Sequence, residues 1–154
     1  MKKTSNTERR TPNIEWRGVT TRVNEESLSN YGSYRIKKFD LEERLLEFAV
    51  QIIELTEALP NTRAMNHVAG QLLRSGTSPY GNHGEVEAAE SINDFIHKLK
   101  VCLKELRESR RWLRLIARLK GQSKSANLPW CLNEIDELIR IFNKSIKTSE
   151  AKRR

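Results

Sequence analysis

An all-α, antiparallel up-down-up-down four-helix bundle is what this sequence predicts, and three observations predict it. Apolar residues recur at alternating steps of three and four along four stretches, the period of a helix with one buried face. Short segments holding Pro, Gly, Ser or Asn separate those stretches, and short connections join antiparallel neighbours in a bundle. No segment alternates apolar and polar residues between turn signals, as a half-buried strand would. A chain of 154 residues is expected to form one domain with a modest core.

Residues 1–38 stand apart. They are polar, show no sustained period, and set nine cations against four acids, so a basic, disordered arm is expected there. The bundle is expected over 39–148. Its first helix opens at Asp40, where Asp40-x-x-Glu43 resembles a capping box. Leu41, Leu45, Phe48, Ile52, Leu55 and Leu59 form its stripe, Leu46, Ala49 and Ile53 widen it, and Pro60 ends it. Asn61 or Thr62 caps the second helix, whose apolar side is Met65, Val68, Ala69, Leu72 and Leu73.

The segment from Gly76 through Pro79 to Asn82 breaks a helix by ordinary rules, with one continuous, Pro-kinked helix as the competing reading. Helical pattern resumes near Glu85. Phe95, Leu99, Cys102, Leu106, Leu113 and Ile116 then give the seam of a long third helix that ends near Lys120 and Gly121. A Ser-rich loop over 122–127 leads to the fourth helix, with Pro129 in its first turn. Leu128, Leu132, Ile135, Leu138, Ile139, Phe142 and Ile146 form its stripe, and a basic tail is expected over 149–154.

The net charge is +8 and the pI near 9.7, which favours anionic partners. Cys102 and Cys131 fall among Leu and Ile on apolar faces, so they read as buried thiols in a reducing compartment. There is no run long and apolar enough to span a membrane, and the opening MKKTSNTERR lacks the apolar core of a secretory signal. A cytoplasmic location is expected.

The most informative pattern is a row of six cations on the third helix. Lys100, Lys104, Arg107, Arg111, Arg114 and Arg118 follow one another at 4, 3, 4, 3, 4, which holds them in one narrow strip. Each like-charge pair at such spacing opposes the helix by roughly 0.2–0.5 kcal/mol, so nothing local favours the row. A polyanion, with RNA the foremost candidate, or an acidic surface on another subunit would use it. The strip lies opposite the apolar seam. Beside it, Val101, Trp112, Leu115 and Leu119 form a smaller apolar set suited to an oligomer contact. The structural alternative is that Glu105 and Glu108 neutralise the row locally, while Glu43, Glu47, Glu54 and Glu57 pair with it across an interface.

Other constellations are weaker. His83, Glu87, Glu90, Asp94 and His97 also recur at 4, 3, 4, 3, and Asp94 with His97 matches half of a di-iron helix pattern. Such a site needs a second motif and two further carboxylates, and the fourth helix offers no histidine, so neither metal nor cofactor is expected. His67 has no nucleophile in a recognisable arrangement, and Gly76 and Gly81 do not make a phosphate loop. No catalytic site is expected. Trp112 and Trp130 suit core or interface better than base stacking.

A family resemblance runs through the middle of the chain. Leu72-Leu73-Arg74-Ser75-Gly76-Thr77-Ser78, then Asn82, Glu85, Ala89-Glu90-Ser91, Asp94-Phe95-Ile96-His97-Lys98, Lys104-Glu105, Arg107-Glu108 and Trp112-Leu113 resemble the bacterial 23S rRNA intervening-sequence proteins. Phe39-Asp40-Leu41-Glu42-Glu43 matches as well. The resemblance implies a four-helix protomer in a homopentamer, an unbroken but kinked second helix, and kinship with the accessory variability determinant of diversity-generating retroelements. That kinship implies nucleic acid and a reverse transcriptase as partners. Pro79-Tyr80-Gly81 departs from the family pattern ahead of Asn82, and the resemblance says nothing of residues 1–38.

Overall fold

The computed structural model describes residues 41–119 and 126–153. The expected arm over 1–38, the Asp40 cap and most of the Ser-rich loop lie outside the described residues, whereas the third helix, expected to end near Lys120 and Gly121, stops at Arg118 with Leu119 as its extended cap. Four helices account for the rest: α1 (Leu41–Glu57), α2 (Arg63–Glu87), α3 (Ile92–Arg118) and α4 (Leu128–Arg153). They form an all-α four-helix bundle in which α2 packs on α1 and α3, α3 on α4, and α4 more lightly on α1.

Each helix is amphipathic and turns one stripe inward. Leu45, Phe48, Ile52 and Leu55 from α1 meet Met65, Val68, Leu72 and Val86 from α2. Leu99, Cys102, Leu106, Leu113 and Ile116 from α3, with Leu128, Cys131, Ile135, Leu138 and Phe142 from α4, complete one continuous core. A fully buried side chain of this kind contributes about 1.5–3 kcal/mol. The seam of α3 is rotated slightly from expectation: Ile96 and Leu103 are buried, whereas Phe95 is only half-buried.

Thr62 is the cap of α2, its hydroxyl accepting from the Met65 N–H at 3.2 Å. Of the two readings of 76–82, the continuous helix implied by the resemblance is the one found: α2 continues unbroken through Pro79. Pro79 cannot donate to the Ser75 carbonyl, but Pro79, Ser75 and Gly76 are all buried between neighbouring helices. The Ser109 hydroxyl donates to that of Ser75 at 2.9 Å, joining α2 to α3 inside the core. Gly76 fits because a Cβ there would lie 2.8 Å from Ile52 Cγ2 of α1. Tertiary packing therefore overrides the local cost of the proline.

The chain turns later, between Glu87 and Ile92. Ser91 accepts from the Asp94 N–H at 3.1 Å, and the Asp94 carboxylate accepts from the Glu90 N–H at 3.2 Å, a reciprocal cap that starts α3. At the other end, α4 continues to Arg153, past the expected bundle end at 148. Residues 149–153 are helical.

Candidate nucleic-acid interface

With α2 on one side and α4 on the other, α3 buries one face and turns the opposite one outward. Lys100, Lys104, Arg107, Arg111, Arg114 and Arg118 are all exposed there. The Lys100 ammonium meets Glu150 of α4 at 2.7 Å, and the Arg107 guanidinium donates to Asn143 Oδ1 at 3.1 Å. None of Lys104, Arg107, Arg111, Arg114 and Arg118 pairs with a carboxylate among the described residues.

Among the described residues, neither Glu105 nor Glu108 pairs with a cation of the row. Glu108 instead accepts from Arg74 of α2 at 3.1 Å, on the flank away from α4. Arg110 lies off the row and pairs with Asp136 of α4 at 3.2 Å. From Lys104 to Arg118 the row therefore faces solvent without a carboxylate partner among the described residues, while Lys100 is paired with Glu150.

A groove follows the row along the α3–α4 seam. Lys100, Lys104, Arg107 and Arg111 line it from α3, while Asn143, Ile146 and Lys147 line it from α4. Lys147 lies on α4 beside the row. Asn143 was not anticipated. Both were detectable, because 143, 146, 147 and 150 share a face at helical spacing.

The four residues expected at an oligomer contact are adjacent to this charge. Leu115 is 41% exposed, whereas Val101, Trp112 and Leu119 are half-buried. The Trp112 ring meets His67 edge-on, with centroids 6.2 Å apart, and its indole N–H has no hydrogen-bond partner among the described residues. Trp130 lies exposed on α4.

The turn between α2 and α3 interrupts the carboxylate–histidine register. His83 is 4.0 Å from Glu87 on α2, and Asp94 pairs with Lys98 at 2.9 Å on α3. That ion pair holds the Asp94 carboxyl below its ordinary range and raises the Lys98 ammonium. No group of three His, Cys, Asp or Glu side chains arranged to hold a metal occurs among the described residues. Burial pushes the Cys102 thiol up to about 11 and the Cys131 thiol up to about 12, so both are held as neutral thiols. No described helix is long and apolar enough to cross a membrane.

Fold and surface together define a small all-α bundle that presents a cationic face to solvent. The chain belongs to the 23S rRNA-intervening sequence protein family, whose pattern it matches over residues 37–144. It is also similar to a solved structure from Bacteroides thetaiotaomicron VPI-5482, described as a protein of unknown function from the S23 ribosomal protein family. The two are 35% identical with a TM-score of 0.60, over 70% of this chain and 98% of that one. No curated protein matches this sequence.

Proposed function

We propose that this protein is a non-enzymatic, cytoplasmic homo-oligomer that binds RNA through the cationic face of α3. One observation carries the reading: five of the six cations in the row are exposed without a carboxylate partner among the described residues. Phosphate contacts of this kind position a duplex or a folded RNA without reading its sequence. Lys147 extends the charge onto α4. The family description makes structured 23S rRNA fragments the natural probe.

The test is binding to such fragments across a salt series, for the wild type and for a variant with Arg107, Arg111 and Arg114 all changed to Gln. If all six cations meet phosphates, log K falls against log salt with a slope of about −5, and the variant loses about half of it. Wild-type protein that binds no RNA at low salt would sink this reading. The second reading, a scaffold for an acidic protein such as a reverse transcriptase, is favoured by the exposed Leu115 beside the row. It would take over if an acidic protein is captured where RNA is not. The pentamer implied by the family resemblance is tested by the native mass of the same samples.

A further inference from the structure

The groove beside the row of cations is not lined by charge alone. Its volume is about 1040 Å³, and Leu103, Trp112, Leu115 and Ile146 line it together with the cations. Leu115 is exposed, and it follows Arg111 by four residues and Trp112 by three, so its side chain stands beside both. Leu103 and Ile146 are nearly buried and close the base between α3 and α4. A phosphate needs none of this apolar surface, which therefore answers to another part of the ligand.

The cations are also spaced for one form of polyanion. From Lys100 to Arg118 the row runs straight along α3, and successive cations advance about 5.4 Å along its axis. A strand stacked in a duplex advances about 3.4 Å per phosphate and winds away from any straight line. It also keeps the faces of its bases stacked inside. An unpaired strand extends beyond the stacked rise and exposes those faces. Arg107 is held ready for such a strand. Asn143 Oδ1 accepts from its guanidinium at 3.1 Å, and Asn143 Nδ2 donates to the Ile139 carbonyl at 2.8 Å, which fixes the amide. The guanidinium keeps further N–H donors for phosphate. The two acids of the lining are already engaged, Glu108 by Arg74 and Glu150 by Lys100.

We infer that the groove takes an unpaired RNA strand in preference to a duplex. Phosphates lie toward Lys104, Arg107, Arg111 and Lys147, and base faces lie against the apolar lining around Leu115. The inference rests on the RNA half of the proposed function and adds the form of the RNA. Every base has an apolar face, so the groove selects strand form and not sequence.

Three RNA probes of about 12 nucleotides test this on the full wild-type chain: an unstructured single strand, the same strand in a blunt duplex, and an abasic strand of equal length. At one salt concentration the single strand should bind about tenfold tighter than either of the others. Leu115→Ser should weaken the single strand by about fivefold and leave duplex and abasic binding unchanged. Trp130→Ser, similarly exposed on α4, should change none of the three. Arg107→Gln with Lys147→Gln should weaken them all. Native mass and circular dichroism check that each variant keeps its assembly and helix content, with Leu115→Gln in place of Leu115→Ser if that one does not. A duplex or an abasic strand that binds as tightly as the single strand overturns the inference and leaves the cationic face standing as an RNA surface. So does a Leu115 variant of wild-type mass that keeps the full preference. No binding of any probe at low salt overturns the proposed function itself.

Discussion

On the α3–α4 side of the bundle, charge is exposed and the large apolar side chains are mostly covered; on the α1–α2 side five large apolar side chains, Leu46, Val50, Ile53, Leu73 and Tyr80, are exposed and cations are scarce. Both sides share one core, so packing does not account for the contrast. The cations of α3 oppose their own helix, and the burial of Leu99, Leu106, Leu113 and Ile116 beneath them offsets that cost. The uncovered Leu46, Ile53 and Leu73 have no such offset within the protomer. A face that is unfavourable alone in one way calls for a counter-charge, and a face unfavourable in the other calls for a dry neighbour.

Salt separates the two sides most strongly. Between 50 and 200 mM salt, RNA affinity should drop by about 10³-fold if six phosphates are engaged. Where α2 packs on α1, Gly76→Val should lower stability by about 1–3 kcal/mol in urea unfolding, because its side chain collides with Ile52.

Alkali should weaken the core that both sides share. Both thiols titrate above their ordinary value of 9.0 in the folded protein. Their contribution is therefore complete below about pH 9 and lost as the pH rises toward 11 and 12, where the unfolded chain releases these protons first. A denaturation series from pH 8 to 11 should show midpoints falling only above about 9.

Gly81→Ala should stabilise by about 0.5–1 kcal/mol, as it fills open space in a helix interior. Arg74→Ala is the mildest change. It frees Glu108 to face the cations, and RNA binding should weaken by about 0.5 kcal/mol or less at this exposed position.

Periodicity located all four helices, the α4 start at Leu128 and Pro129, and the exposed row on α3, because each follows from spacing within one helix. It left α2 open between a break and a continuous helix, because Pro79 and Gly76 look like breakers until Ile52 and the Ser75–Ser109 hydroxyl pair are in place. Those contacts join residues far apart in sequence. Leu46 and Ile53 were expected to widen the buried stripe, yet only Ala49 of that set is buried. How wide a stripe the bundle covers depends on where α2 lies, which α1 alone does not encode. The partner of Glu108 was hidden for the same reason, since its arginine comes from α2 and not from its own helix.

The two cysteines sit fully within the core, and the sequence contains no others. A cysteine introduced on the surface would therefore be the single thiol that a maleimide dye reaches in the folded protein. Fluorophores placed at Ile53 in one preparation and at Leu115 in another would report, by energy transfer, which faces of two molecules meet, with no need to remove the native thiols first.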